Sequence, residues 1–414
     1  MPELADILVR NARLPGDDES LSDIAISDGL IVAIGARLDI KARATVDARG
    51  NLVTPSYVNP HLHLCKVWTL PMISDAALDA YQGGGMSEAA KAIDLAAAVK
   101  ANYDQSWIIP NARRAVALAA LYGNLNIRAF ADVDTKARLE GVKALIAIRE
   151  EFRGIVDIQV VAFAQDGIVR EPGAAALLRE AMAMGADVVG GIPWIEPSAA
   201  DARAHIDVCF DLAAEYNADI SMLLDDVGNP EMKTLEVMAR QALARGWQGR
   251  ALAHHCRAMA LYPDGYLGEL AELLQRADVS VVSDPHTGPL HARVKQLLAA
   301  DVNVCLGQDD ISDAYYPFGR NNMPEVAFLA SHLLWMMGEQ EIETLHEMIT
   351  TRAARAINLP RYGLEAGCVA SLVVLDHPNV AEAVRFHDEP AVVISHGRPV
   401  DLEHMRRLAR WGQG

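Results

Sequence analysis

Cysteine is scarce in this chain of 414 residues, and its five copies are scattered along the sequence. No CxxC spacing occurs, so the sequence predicts neither a disulfide framework nor a structural zinc site. Basic residues are outnumbered, with 37 Lys and Arg against 55 Asp and Glu, which gives a formal net charge of −18. Because nucleic acids and anionic membrane surfaces require clustered basic side chains, this balance argues against both as partners.

The apolar runs in the sequence are short, and none is long enough to span a bilayer. The segment Met1–Asp6 shows no basic stretch followed by an apolar core, so we expect no signal peptide and a cytoplasmic protein. The composition, at 51% hydrophobic and 22% charged, is typical of a globular protein. The length suits one large domain and a smaller one.

Short strand-like runs separated by turn residues occupy both ends of the chain. They are Ile7–Arg10, Asp23–Ile26, Leu30–Ile34, Ser371–Leu375 and Ala391–Ser395. Strands from opposite ends can close one small sheet structure. We therefore expect residues 1–55 and 365–414 to form a composite β-sandwich domain.

The middle of the chain alternates short apolar strands with long Ala/Leu-rich amphipathic helices. The strands are predicted at the run leading to His61 and at Asn126–Val133, Val156–Phe163, Asp187–Ile192, Asp219–Leu224, Arg250–His255, Asp278–Ser283 and Val302–Gly307. The helices between them include Ala175–Met184, Ala200–Tyr216, Met232–Ala244 and Leu290–Ala300. Eight strand–helix units predict an α/β fold, a (β/α)8 TIM barrel catalytic domain over residues 56–364. A doubly wound sheet is the competing architecture, but no GxGxxG opens a helix.

Two histidines, His61 and His63, end the first of these strands. Residues at i and i+2 of a strand face the same side, so the two imidazoles point together and form half of a divalent metal site. Ordinary half-buried histidines would show the same pattern, since histidine is often partly buried. The neighbouring strand ends decide between these interpretations.

Polar side chains stand at nearly every strand end, where a barrel builds its active site. They are Asp132, Gln165, Asp225, Asp226, His254, His255, Ser283, Asp284, Gln308, Asp309 and Asp310. Single members have bland explanations, such as helix caps for Asp309 and Asp310. Because adjacent strand residues face opposite sides, we expect only one of His254 and His255 to be functional. Together the set predicts a polar site at the mouth of the barrel.

Several segments resemble the amidohydrolase superfamily, and within it the branch of cytosine deaminases and N-isopropylammelide isopropylaminohydrolases. They are Pro60–Leu64, Asp157–Gly167, Gly185–Pro193, Gly307–Gly319, Tyr362–Gly367 and Ala370–Leu375. The resemblance covers essentially the whole chain. It implies one divalent metal, zinc or iron, with His61, His63 and Asp309 among the ligands. No lysine follows the fourth strand, so a carbamate-bridged pair of metals is not expected.

The resemblance also implies catalytic roles. A metal in this position lowers the pKa of a water and makes hydroxide available. Asp309 would accept a proton from the water, His255 would hydrogen-bond the reacting oxygen, and Asp226 would pass a proton to the ring nitrogen and the leaving amine. Substrate binding is assigned to Gln165, Trp194, Asp310 and Tyr315.

Four positions depart from the family pattern. Leu223 stands where a fifth-strand histidine ligates the metal, and Phe130 stands where the second strand carries a histidine. Asp226 is shorter than the usual glutamate, and Cys65 replaces a common aspartate. His255 or Asp226 could fill the ligand position left by Leu223, the metal could be bound more weakly, or it could be lost.

We therefore expect a metal-dependent hydrolase of a C–N bond in a small nitrogen heterocycle, acting as a deaminase or aminohydrolase and assembled as a homo-oligomer. Leu223 leaves open a metal-free binding protein or a homologue with altered chemistry. Hydrolysis of a cyclic amide is the third possibility.

Overall fold

A computed structural model describes residues 4–73 and 99–410 of the chain. The strands are β1 (Leu4–Leu14), β2 (Asp17–Ser27), β3 (Leu30–Gly35), β4 (Lys41–Asp47), β5 (Val53–Pro55), β6 (Tyr57–Leu62), β7 (Asn124–Asp132), β8 (Asp157–Phe163), β9 (Val188–Gly191), β10 (Asp219–Leu224), β11 (Ala251–His255), β12 (Ser280–Ser283), β13 (Val304–Leu306), β14 (Leu372–Val374), β15 (Val392–Ser395) and β16 (Arg398–Pro399).

The described helices alternate with the central strands and continue after them. They are α1 (Gln105–Leu121), α2 (Glu140–Glu151), α3 (Ala174–Ala183), α4 (Ala199–Tyr216), α5 (Thr234–Arg245), α6 (Asp264–Arg276), α7 (Val294–Ala299), α8 (Met323–Leu333), α9 (Glu339–Met348), α10 (Thr351–Ala356), α11 (Val380–Phe386) and α12 (Leu402–Ala409). Short 3-10 turns lie at Leu64–Lys66, Leu70–Met72, Pro193–Ile195, Arg257–Leu261 and Pro285–Thr287. Within the described ranges, no helix combines the length and apolarity needed to cross a membrane.

The eight strands β6 to β13 form one parallel sheet in sequence order. The sheet curls until its first and last strands meet. The seam is closed by two backbone hydrogen bonds, from His63 N to Asp309 O at 2.8 Å and from Asp309 N to His61 O at 2.9 Å. The predicted (β/α)8 barrel is confirmed.

The seam depends on one glycine. A Cβ at Gly307 would lie 2.8 Å from Cβ of His61 and 3.0 Å from Cγ1 of Val282. Both distances are shorter than ordinary carbon contacts. Glycine at this position therefore lets the segment after β13 approach β6 closely, which sets where Asp309 stands relative to His61.

Strands from both chain ends form a second unit, as predicted. One four-stranded sheet has the order β3-β2-β1-β4, and the other has the order β16-β15-β14-β5. Their facing apolar side chains share one core, which includes Ile24, Ile26, Leu372 and Ile394. This β-sandwich contains segments that are more than 300 residues apart in the sequence.

The limits 1–55, 56–364 and 365–414 remain a proposal for the domain boundaries. In the structure β5 ends at Pro55 and β6 begins at Tyr57, with Ser56 between them. The C-terminal helix α12 packs on the barrel helix α1, and Arg114 Nε donates to Ala409 O at 2.9 Å. The terminal segments therefore also contact the barrel.

Observed element ends differ from the predicted ones by a few residues. The strand predicted from Asp278 begins at Ser280, and the helix predicted from Leu290 begins at Val294. Asp278 adopts a positive φ of 46°, which an extended strand cannot contain. Such local backbone conformations are weakly encoded in a hydrophobic pattern.

Arg128 on β7 is buried inside the fold, with 1% of its surface exposed. Its guanidinium donates to Gln159 Oε1 at 2.8 Å and to Ser221 Oγ at 3.0 Å, and it lies 3.4 Å from an Asp219 carboxylate oxygen. Burial lowers the pKa of Arg128 to about 10, so it remains charged at neutral pH. This cation joins β7, β8 and β10.

Replacing Arg128→Met should destabilise the protein by about 3 kcal/mol, because it leaves buried acceptors without their partner. Urea unfolding followed by circular dichroism measures the change. Arg153→Met is the matched control, since Arg153 is 75% exposed and its ion pair in the described part of the chain is with the nearby surface residue Glu150. A loss no larger than that of the control would contradict the assigned role of Arg128.

Candidate active site

Four predicted side chains meet at the seam of the barrel, around one carboxylate oxygen. Oδ1 of Asp309 lies 2.9 Å from His61 Nε2, 3.6 Å from His63 Nε2 and 3.9 Å from His255 Nε2. All four residues are at least 96% buried. Since β6, β11 and the segment after β13 supply them, the predicted convergence of strand ends is present.

This donor set fits a divalent metal ion. Ligand atoms of His61, His255 and Asp309 lie within 4.8 Å of one another, and so do those of His63, Asp309 and Asp310. Imidazole nitrogens together with a carboxylate oxygen are ligands that zinc and iron accept. His63 Nδ1 is buried without a hydrogen-bond partner in the described part of the chain, whereas Nε2 is the nitrogen of this ring that faces Asp309 Oδ1.

The electrostatics separate the histidines into two kinds. Burial lowers the pKa of His61 and lowers that of His63 well below its usual value, which favours the neutral form that binds metals. Burial acts in the same direction on His255, but Asp226, Asp284 and Asp309 outweigh it and raise its pKa to about 9. His255 is therefore a cationic hydrogen-bond donor in this arrangement.

Asp309 is held in its ionised form. Burial alone would raise the pKa of this carboxyl group, but His255 and the hydrogen bond with His61 outweigh burial and hold the pKa well below its usual range. Asp309 also adopts a left-handed backbone with φ of 67°. Non-glycine residues in this conformation are often found at functional sites.

His254 and His255 both face the site, and the expectation that strand alternation would turn one of them away is wrong. His255 and Cys256 have φ values of 65° and 52°, so the backbone of β11 turns left-handed at its end. The turn breaks the two-residue alternation of a strand. His254 consequently contacts His61, while His255 contacts the carboxylates.

Asp226 lies at the edge of this group rather than at its centre. One of its carboxylate oxygens is 3.9 Å from His255 Nε2, and the other accepts from Arg257 Nη1 at 2.8 Å. Arg257 is buried, donates to Thr287 Oγ1 at 2.6 Å and lies 3.5 Å from Asp284 Oδ2. This cation therefore ties together segments that follow three neighbouring strands.

The predicted substrate-binding residues Gln165, Asp310 and Tyr315 gather around a buried lysine. Lys66 Nζ donates to Gln165 Oε1 at 3.2 Å, lies 3.8 Å from Asp310 Oδ1 and stands 4.4 Å from the centre of the Tyr315 ring. Burial opposes the charge, but Asp310 and Asp132 outweigh it and hold the pKa of Lys66 well above its usual value.

Trp194 lies instead in an apolar wall beside the site. The wall contains Phe130, Phe163 and Leu223, with Tyr315 packed against it. The Phe130 ring centre is 4.5 Å from that of His61 and 5.3 Å from that of His63. The two positions where the family pattern has histidines are thus filled by side chains that pack together.

The sequence interpretation missed Lys66 and Arg257 as site residues. Each follows a strand-end histidine by two or three positions, and each lies in a 3-10 turn whose path no hydrophobic pattern predicts. A charged residue close after a strand-end histidine was the available signal, because such a residue also lies near the barrel mouth.

Comparisons with known proteins identify the family of this chain. A family profile described as "Amidohydrolase family" matches residues 44–401. The N-isopropylammelide isopropyl amidohydrolase of Pseudomonas sp. (strain ADP) is 30% identical over 410 residues, covering 95% of this chain and 96% of that protein.

Two solved structures are similar over nearly their whole length. The 5-methylcytosine deaminase of Klebsiella pneumoniae, liganded with 5-fluorocytosine, superposes with a TM-score of 0.86 at 30% identity and covers 95% of this chain and 97% of its own. The N-isopropylammelide isopropylaminohydrolase of Burkholderia multivorans gives a TM-score of 0.84 at 26% identity, covering 96% and 98%.

Replacing His63→Ala should weaken divalent metal binding by more than about 100-fold, because the loss of outer partners of a ligand alone costs 10–100-fold. Titration of metal-stripped protein with zinc against a competing chelator measures the affinity. His404→Ala, at an exposed histidine on α12, is the matched control and should bind as the wild type does. Equal zinc affinities for the two variants would show that His63 is not a metal ligand.

Proposed function

Since this chain belongs to the amidohydrolase family and is a hydrolase of C–N bonds, we propose that it releases ammonia or an amine from a small nitrogen heterocycle. The observation that carries the proposal is the convergence of His61, His63 and His255 on Oδ1 of Asp309. The similar proteins named above act on methylcytosine and N-isopropylammelide, which are substrates of this class.

We assign His61, His63 and Asp309 to hold one divalent metal ion, zinc or iron. In the described residues His61 and His63 belong to two separate groups of candidate ligands that share Asp309, with His255 in one and Asp310 in the other. When bound, the ion would lower the pKa of water and so make hydroxide available near neutral pH. The fourth protein ligand expected from the family pattern is absent, because Leu223 packs in the apolar wall. Water or substrate would complete the coordination, as at other sites with open positions.

Different side chains around the metal position carry out the separate proton transfers. Asp309 takes the proton of the attacking water, and His255, 3.9 Å from Asp309 Oδ1, hydrogen-bonds the oxygen on which negative charge develops. The attacking water supplies two protons: Asp226 passes one to the ring nitrogen and the second, held by Asp309, to the leaving amine, while the carbon–nitrogen bond breaks and the oxygen stays on the ring carbon as a carbonyl. Arg257 binds the distal oxygen of Asp226 and so directs the other oxygen towards His255.

The two halves of the pocket suit a flat polar ring. The apolar wall with Trp194 faces one side of the ring, while Gln165, Asp310 and Tyr315 supply its polar edge. Gln165 and Asp310 both lie near the buried Lys66, so an amide-like edge of the substrate finds donors and acceptors together. We also propose a cytoplasmic location and a homo-oligomer.

A metal-free binding protein is the second candidate. It is favoured by the replacement of two histidines of the family pattern by Leu223 and Phe130, which belong to the same apolar cluster. In this case the pocket would bind a heterocycle without turning it over. Hydrolysis of a cyclic amide is distinguished from amine release by the product, which would be ring-opened.

Zinc- or iron-loaded wild type, tested against aminopyrimidines, aminotriazines and cyclic ureas, should release ammonia or an amine from at least one ring. Asp309→Asn should lower kcat by about 10²–10⁴-fold, the contribution of a positioned proton acceptor. Asp388→Asn, at an exposed carboxylate, is the matched control. Ring-opened products without free amine would contradict the proposed bond, and binding without turnover would favour the second candidate.

Leu223→His tests whether the apolar wall belongs to a working pocket. We expect kcat/KM to fall by about tenfold or more, because an imidazole would place polar nitrogens against Phe130 and Trp194 without partners. Steady-state kinetics and metal analysis measure the two properties together. The opposite result, an inactive metal-free wild type and a variant that gains metal and turnover, would identify a degraded site.

A further inference from the structure

His254 is the one histidine of the central cluster to which the mechanism assigns no task. It lies on β11 directly beside Leu223 of β10 in the strand register. Its side chain is completely buried, and its ring packs edge-on against Phe130 with ring centres 5.1 Å apart. Its closest polar contact is with His61, where the two Nδ1 atoms are 2.7 Å apart.

This distance distinguishes a hydrogen bond from shared coordination. Two imidazole nitrogens bound at about 2.0–2.1 Å to one tetrahedral zinc ion are roughly 3.3 Å apart. A separation of 2.7 Å is too short for that arrangement but normal for a strong hydrogen bond. His254 is also outside both clusters of candidate ligands found in the described residues.

We propose that His254 is a positioning residue for the metal ligand His61: it accepts a hydrogen bond from His61 Nδ1 and so leaves the Nε2 lone pair for the metal. This inference rests on the proposed metal-dependent function. It assigns to His254 a task that the family pattern does not predict, since that pattern places its additional histidine on β10 instead.

The proton positions explain why this contact matters. One of the two facing Nδ1 atoms must carry a proton and the other must accept it. If His254 donates, the proton of the neutral His61 ring is on Nε2, which points at Asp309 Oδ1, and His61 has no lone pair for a metal. If His254 accepts, the proton of His61 is on Nδ1, and a bound metal ion takes the place of the proton that Nε2 otherwise donates to Asp309 Oδ1, so His61 is the tautomer that ligates. Partners of this kind fix the tautomer and ring orientation of metal-binding histidines.

His254 lies beside Leu223, the residue that stands where the family pattern has a metal-binding histidine. Register partners on parallel strands face the same side of a sheet, so Leu223 and His254 occupy the same level of the barrel. At this level the family pattern has a histidine on β10, whereas this chain has one on β11. In this position it supports a remaining ligand rather than replacing the lost one.

The experiment compares zinc affinity in metal-stripped wild type, His254→Phe and His254→Asn by competition with a chelator. Phenylalanine keeps an aromatic ring but cannot accept a hydrogen bond, whereas the asparagine amide oxygen can stand near the original Nδ1 position. We expect His254→Phe to bind zinc about 10–100-fold more weakly. His254→Asn should recover most of the wild-type affinity.

Two results would overturn the proposal: His254→Phe with wild-type affinity, or His254→Asn as weak as His254→Phe. Circular dichroism melting accompanies each variant, and His254→Leu serves instead if the phenylalanine variant does not fold. The measurement requires no substrate. If the three proteins show the expected order of zinc affinity but the wild type hydrolyses no heterocycle, the proposed function is refuted and the role of His254 stands. If all three proteins are active and bind zinc equally well, the role of His254 is refuted and the proposed function stands.

Discussion

The candidate site depends on the closure of the barrel between β6 and the segment after β13. The two backbone hydrogen bonds of this seam join His61 and His63 to Asp309, the same residues whose side chains converge. Fold and site therefore share one set of contacts. A shift of the seam by one residue would turn the histidine side chains to the other face. The closeness permitted by Gly307 fixes the distance across which these groups interact.

The side chains around this seam differ in chemistry from one half of the barrel to the other. Strands β7 to β10 contribute large apolar side chains such as Phe130 and Leu223, while β11 to β13 and β6 contribute histidines and carboxylates. The apolar half keeps the imidazoles of His61 and His63 neutral by excluding water from them. The carboxylates of the polar half have the opposite effect on His255. Histidines a few ångströms apart thus have different protonation preferences.

Much of this arrangement was predictable from sequence because barrels place strand ends at one face. Alternating strands and helices predicted the barrel, and HxH with Asp309 predicted the centre of the site. The 3-10 turns that bring in Lys66 and Arg257 were not predictable, since their paths follow from tertiary contacts. The left-handed backbone at His255 was also missed, because strand periodicity assumes an extended chain to the last residue.

The left-handed pair His255 and Cys256 also restricts how this pocket can evolve. Side chains branched at Cβ are strained at positive φ, whereas glycine, asparagine and aspartate tolerate it. The backbone conformation therefore limits which residues can occupy these two positions, before the chemistry of their side chains matters. A homologous sequence with valine or isoleucine at either position would need another path for the chain after β11. It would then present a different pair of side chains to the substrate.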